Sequence, residues 1–400
     1  MVEFALTEEQ TALRDLARDF VEREVTPVAA ALDAHADPAD CFSWDLVEKL
    51  SAVGLRTVAL DKAHGGAGAD AVTICLLAEE LAVGDLGVSV IMAQTWKIGQ
   101  TIQRGATPEQ LRRFLPILRD DPRALLAIGI TEPETGSDYI IPYPDPKAGP
   151  HLSAVRDGEH WILNGMKHFI SNGSRAALHL IFARTDPAVP QTRGLTAFLV
   201  PRDAPGFSIG RVHDKMGERL ANNAELIFRD CRIPAASQFM GLHEGFEVLR
   251  RFFPASNAYA AASVLGVGRA AYEKALEFAR TRVQGGRPIL EHQGIRLLLT
   301  ETKMRLDSTR DYIWHAAWAA DHREHFDWTW ASLPKVLAAE TAVRATQVAI
   351  QVCGGYGLMR EMGLAKLYRD AAMFFTSDGT QQALTLKAAN AIHPIPNPAG

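Results

Sequence analysis

The residues able to do chemistry cluster in a few short stretches of the 400-residue chain. The fullest runs from Ile128 to Asp138 and reads IGITEPETGSD. Apolar residues lead up to Ile130 as a strand would. Thr131, Glu132 and Pro133 then break the strand, and Gly136, Ser137 and Asp138 close a turn. Such a loop presents backbone N–H groups and hydroxyls at a strand end, where they donate to a flat polar ring or a phosphate. The same stretch also reads as an ordinary turn between two strands. His64 to Asp70 (HGGAGAD) is rich in glycine but lacks the strand-before, helix-after setting of a dinucleotide fingerprint, so it reads as a turn. His322 to His325 (HREH) lacks the HExxH spacing and reads as an exposed helix end. Cys41, Cys75, Cys231 and Cys353 lie far apart and form no CxxC. A disulfide framework and a metal site are therefore not expected, and a reducing, cytoplasmic setting is.

The Ile128–Asp138 stretch resembles the flavin-binding signature of the acyl-CoA dehydrogenase family. Four further segments resemble the same family, in its order. They are KHFISNG (Lys167 to Gly173), RVQGGRPILEHQ (Arg282 to Gln293), QVCGGYG (Gln351 to Gly357) and SDGTQQ (Ser377 to Gln382). The resemblance covers nearly the whole chain, from FALTEEQ to about Ala391. It implies FAD as cofactor and the α,β-dehydrogenation of an acyl-CoA thioester. A carboxylate takes the α-proton while the β-hydrogen leaves as hydride to flavin N5.

The resemblance assigns roles position by position. Asp378 stands at the base, with its own backbone N–H polarising the thioester oxygen. Most members carry Glu there. Asp is one methylene shorter, roughly 1.5 Å less reach. Ile130 and Thr131, with Ile128 and Gly136 of the same loop, would meet the flavin, Thr131 through both its backbone and its hydroxyl. Phe169 would lie flat on the ring, and Ser171 would bond N5. Arg282, Gln293, Gln351 and Gly355 would come from a neighbouring subunit to hold the pyrophosphate and adenosine, completed by Thr380 and Gln382. Gly285 replaces the family's Phe. Ser137, Arg251, Asn257 and Gly379 would meet substrate, with Arg250 near the CoA phosphates. Asn257 stands where the family usually has Arg.

Val90 to Trp96 aligns with the acyl-pocket helix. Gln94 and Trp96 would limit its depth, or pack in the core. An electron-transferring flavoprotein as acceptor and a homo-oligomer, dimer or tetramer, are implied as partners. The Asp at 378 keeps other readings open: nitroalkane-oxidase-like or flavin-monooxygenase activity on a small substrate, or a non-catalytic subunit of a heteromeric dehydrogenase.

The elements that must position these residues fall into three blocks. Length alone exceeds one ordinary core. Periodicity gives a helical block over 1–122, with helices expected to end near Pro27, to run over 43–53, and to follow Asp70 and Thr107–Pro108. Short β-rich runs between Gly, Pro, Asn and Asp turns follow over 123–240, a small barrel-like β domain. From 241 to 400 the period is helical again, with segments about 246–281, 288–322, 329–353 and 361–374 and a last helix after Gly379. Small residues such as Ala260, Ala261 and Gly266 point to a four-helix bundle. The fold is therefore mainly α with a central β domain. Pro142 to Pro150 (PYPDPKAGP) is an insertion, read as an exposed loop, or as a lid or oligomer contact. A net charge of −5 without a basic run excludes nucleic acid as a partner, and no run of about 18 apolar residues speaks for membrane insertion.

Overall fold

The structure, a computed structural model, describes residues 5–394. Thr7 opens helix α1 (Glu8–Phe20) through a capping box with Gln10. The expected stop near Pro27 is not there. A π-helical turn, Val21–Val25, shifts the hydrogen-bond register, and α2 (Thr26–Asp33) continues with Pro27 in its first turn, where a missing N–H is harmless. Ser43, Asp70, Asp85 and Thr107 then cap α3 (Trp44–Ala52), α4 (Ala71–Gly84), α5 (Leu86–Gly105) and α6 (Pro108–Asp120). HGGAGAD is a turn: a Cβ on Gly66 would lie 2.0 Å from the Leu60 carbonyl oxygen.

The central domain is a mixed sheet of eight strands. They are β1 (Leu126–Gly129), β2 (Ser153–Asp157), β3 (His160–Ser171), β4 (Leu178–Arg184), β5 (Leu195–Pro201), β6 (Phe207–Val212), β7 (Asn223–Pro234) and β8 (Gln238–Phe239), with a short helical turn, α7 (Gln191–Gly194), before β5. The order is β6-β7-β3-β2-β4-β5-β8, and β1 lies parallel to β4. Strand β4 is buried along its whole length because both faces are covered. Leu178, Leu180 and Phe182 face one core, and Ile181 and Ala183 face the other.

The C-terminal block contains α8 (Gly245–Thr281), α9 (Gln293–Asp321), α10 (Leu333–Cys353), α11 (Leu364–Met373) and α12 (Gln381–Ile392). Helices α8, α9, α10 and α11 pack together, and α4 and α5 lie against α8. One core runs through both helical blocks as a result. Gly266 permits the approach of α4, since a Cβ there would meet the Glu79 carbonyl oxygen at 2.4 Å. Helix α9 starts later than its periodicity indicates. A hairpin of β9 (Val283–Gln284) and β10 (Arg287–Pro288) intervenes, turned by Gly285 and Gly286 at φ +62° and +81°. A two-residue turn with both φ positive is glycine's own setting, which accounts for the absence of Phe at 285. The Pro142–Pro150 segment is exposed at its tip and tied down at its end: Arg184 donates to the carbonyls of Ala148 (2.7 Å) and Pro150 (3.1 Å).

Candidate active site

The chain between α11 and α12 is not helical because it is held from outside. The buried Lys335 ammonium on α10 donates to the carbonyls of Phe374 (2.6 Å) and Gly379 (2.7 Å), closing the loop like a buckle. Burial lowers the Lys335 pKa to about 8. Within the loop Asp378 takes φ +51° and Gly379 φ +99°. Asp is among the non-glycine residues that enter this region most readily. Gly379 has a second reason to lack a side chain, because a Cβ would lie 2.7 Å from Ile140 Cδ1. Among the described residues nothing accepts the Asp378 N–H, so it remains available to a ligand. Thr380 caps α12, its hydroxyl accepting from the Ala383 N–H.

The Asp378 carboxylate faces Lys97 of α5. Lys97 Nζ lies 3.3 Å from Oδ1 and 3.4 Å from Oδ2, and the side chain of Lys97 is only 3 % exposed. Lys97 also lines a cavity of about 670 Å³ with Gln100, Thr101 and Arg104 of its own helix and Arg250, Arg251 and Phe252 of α8. The cavity is thus lined by several cations, with Asp321 paired to Arg104, and by Lys97, the partner of the Asp378 carboxylate. Arg251 is exposed and paired with Glu247 at 2.8 Å. Of the two readings open for Trp96, the core one holds: its indole is buried and donates to the Leu55 carbonyl at 2.8 Å. The expected placement of Asn257 against substrate needs correction: it is fully buried, its amide donates to the Ala331 carbonyl, and it does not line this cavity. Gln94, also buried, does not line the cavity.

The polar stripe Lys97, Gln100, Thr101, Arg104 went unread in the sequence. Its i, i+3, i+4, i+7 spacing on a mostly apolar helix was the available signal.

The expected flavin loop is held by a buried ion pair. Lys167 Nζ on β3 contacts Glu132 Oε1 at 2.7 Å and the Ile130 carbonyl at 2.9 Å. Glu132 also accepts from the N–H groups of His151 and Leu152. Ile128 lies within β1, paired with Leu180 of β4, and Gly136 is exposed. The Ser137 hydroxyl accepts from the Thr380 N–H at 2.9 Å, which joins this loop to the Asp378 loop. The Thr131 hydroxyl already donates to the His168 carbonyl, which leaves its backbone as the donor toward a ligand.

Phe169 stands at φ +60° with 60 % of its surface exposed, stacked on His168 at 4.0 Å between ring centres. Ser171 Oγ accepts from the Asn223 amide at 3.3 Å and keeps its own proton to give. An exposed aromatic face beside a hydroxyl donor fits a flat ring system. On the same sheet the ligand atoms of His168, His213 and Glu225 lie within 4.8 Å of one another. A tetrahedral zinc site needs about 3.3 Å, given bonds of about 2.0–2.1 Å.

A second hollow, about 660 Å³, lies on the bundle between the end of α8, the β9–β10 hairpin and the turn after α10. Arg282 and Gly355 both line it, and the Arg282 guanidinium lies over the Tyr356 ring at 5.4 Å. Gln293 and Gln351 are exposed neighbours of the lining residues His292 and Val352. The bare backbone of Gly354 and Gly355 leaves open space, since no atom lies within 4 Å of a Cβ built at either. An arginine beside bare backbone suits a pyrophosphate. Gln382 is exposed on α12.

Comparison with known proteins identifies this architecture. Residues 7–120, 127–231 and 243–393 match the N-terminal, middle and C-terminal domains of acyl-CoA dehydrogenases. The chain is 31% identical over 388 residues to the probable acyl-CoA dehydrogenase YngJ of Bacillus subtilis (strain 168), covering 96% of this chain and 98% of that one. The structure of butyryl-CoA dehydrogenase from Megasphaera elsdenii superposes with a TM-score of 0.90 at 29% identity, over 98% of this chain and 100% of that one. A chain in a structure of the electron transferring flavoprotein of Acidaminococcus fermentans also superposes with a TM-score of 0.90, at 28% identity and with the same coverage. The chain belongs to the acyl-CoA dehydrogenase family, FAD-dependent oxidoreductases acting on acyl-CoA thioesters.

Proposed function

We propose that Asp378 is the base that removes the α-proton of the acyl-CoA thioester. The observation that carries this is its setting. Asp378 is a carboxylate whose own N–H has no acceptor among the described residues, on a loop fastened by Lys335 and joined through Thr380 to the flavin loop. A carbon acid yields its proton only if the developing enolate oxygen is stabilised, and in this reading the Asp378 N–H donates to it. FAD, when bound, supplies the hydride acceptor for the β-hydrogen. Phe169 and Ser171 would hold its ring, and Arg282 and Gly355 its pyrophosphate. The CoA phosphates would meet Arg250 and Arg251 at the rim of the cavity. These cations also suit the association of an anionic thioester with a chain of net charge −5.

The ring-holding residues lie on the sheet domain and the pyrophosphate residues on the bundle. We take the second group to serve the cofactor of a neighbouring copy, which makes the protein a homodimer or a tetramer of such dimers. The electron acceptor in this reading is an electron-transferring flavoprotein, supported by the likeness to the chain from Acidaminococcus fermentans. The four cysteines are unpaired, which supports a reducing, cytoplasmic setting.

The test is Asp378→Asn, which keeps the shape and the N–H but cannot accept a proton. Mixed anaerobically with acyl-CoA, it should bleach the flavin slower by about 10²–10⁴, the scale of a lost general base, with FAD content unchanged. Near-normal bleaching would place proton abstraction elsewhere.

A further inference from the structure

We infer that Lys97 is a positioning residue for proton abstraction: it holds the short carboxylate of Asp378 at the angle and depth the α-proton requires. The inference rests on Asp378 being the base and goes beyond it, because it assigns a role to a helix outside the catalytic loop.

Three observations meet here. First, an aspartate at φ +51° on a loop has few contacts of its own to fix its side chain, and it reaches one methylene less far than glutamate. A base misplaced by an ångström loses its advantage steeply. Second, Lys97 Nζ sits almost equally far from both carboxylate oxygens, 3.3 and 3.4 Å. One ammonium straddling both oxygens restrains rotation of the group, which a contact to a single oxygen would not. Third, Lys97 has little choice of partner. Its side chain is 3 % exposed, Asp378 is the one carboxylate paired with it among the described residues, and the Phe252 ring lies on its other side at 5.5 Å. A buried ammonium without a partner is costly, so the pair is set by the fold and not by a passing surface contact.

The groups around the pair divide the labour. Lys335 approaches the same loop from α10 and hydrogen-bonds its backbone carbonyls, so it shapes the loop and meets the Asp378 carboxylate through charge alone. Asn257, at the position where the family resemblance expects a cation, faces the Ala331 carbonyl. The only cation in hydrogen-bond contact with the Asp378 carboxylate, among the described residues, therefore comes from α5.

The test isolates the proton step. A 3-thia-acyl-CoA has sulfur at the β position and cannot give up a hydride, but its α-protons can still exchange. FAD-loaded enzyme is incubated with it in D2O, and α-exchange is followed by NMR. Lys97→Met should slow exchange by about 10–100-fold, the scale of a misplaced reacting group, while affinity for the analogue and FAD content stay near normal. Lys97→Arg, which can again face both oxygens, should recover most of the loss. Exchange by Lys97→Met within about twofold of the parent would overturn the role, as would a loss wholly explained by weaker analogue binding or FAD release. Asp378→Asn is run beside them. Normal exchange in that variant removes the base assignment itself. Abolished exchange there with normal exchange in Lys97→Met removes only the role of Lys97.

Discussion

Thr380 donates its backbone N–H to the Ser137 hydroxyl at 2.9 Å, and this bond joins the Ile130–Asp138 loop to the Asp378 loop. Ser137→Ala leaves that N–H without its partner at a part-buried site. The expected cost is about 1 kcal/mol of stability, the net worth of one such hydrogen bond. With Asp378 as the proposed base two residues before Thr380, the rate of flavin bleaching should fall more than the affinity for FAD. Thermal unfolding and anaerobic stopped-flow on one preparation check both.

Lys335 should be far less replaceable. Lys335→Met strips the only side-chain donor found among the described residues from two buried carbonyls, at about 1–3 kcal/mol for each group left unsatisfied. The midpoint of urea unfolding should drop accordingly, and α-proton exchange should be lost even in the folded fraction. A variant of unchanged stability would show that the loop holds itself.

Arg282→Ala should weaken FAD binding by about 1.5–3 kcal/mol, the scale of a charged hydrogen bond. If the hollow on the bundle serves a neighbouring copy, dilution that dissociates the oligomer should release FAD from the parent protein too. Equilibrium dialysis of FAD alongside sedimentation velocity tests the coupling. A monomer that keeps its FAD would contradict the shared site.

The three-block order was legible in the sequence because periodicity and caps are local: Thr7, Ser43, Asp70 and Thr107 each start a helix as their spacing says. The grouping of Arg282 with Gly355 was also legible, through motifs held in register. What escaped is what depends on contacts across the chain. The π turn at Val21–Val25 lets a helix pass Pro27. The burial of Asn257 goes with its bond to the carbonyl of Ala331, 74 residues away. The Lys97–Asp378 pair spans 281 residues of sequence, and nothing local to either residue announces the other.

His179 gives the sheet domain an acid limit. Its ring is fully buried on β4, with Nε2 3.1 Å from the Gly173 carbonyl and Nδ1 3.4 Å from that of Val200. Burial lowers its pKa from 6.5 to about 4, against the raising effect of the two carbonyls. The unfolded chain therefore takes up this proton first. The contribution is fully present above pH 6.5 and is lost as pH falls through 4, up to about 3 kcal/mol in all. Urea unfolding at pH 7 and pH 4.5 should show the loss, and His179→Gln should flatten it.

Asp378→Glu is the sharpest probe of the site. The longer side chain would satisfy the family's usual reach, and on that ground alone it should raise the rate. The structure points the other way. Lys97 Nζ already stands 3.3 Å from the carboxylate, its side chain is buried, and the Phe252 ring lies 5.5 Å from the ammonium. One more methylene must carry the carboxylate past the ammonium or fold it back on the loop, and Glu tolerates φ +51° less readily than Asp. The expected result is a slower α-proton exchange with the native substrate, with analogue affinity retained. Combining the change with Lys97→Met, which removes the obstructing charge, should restore part of the rate. If Asp378→Glu alone exceeds the parent with every acyl-CoA tried, the short base is not matched to its lysine, and the two residues are paired without consequence for proton transfer.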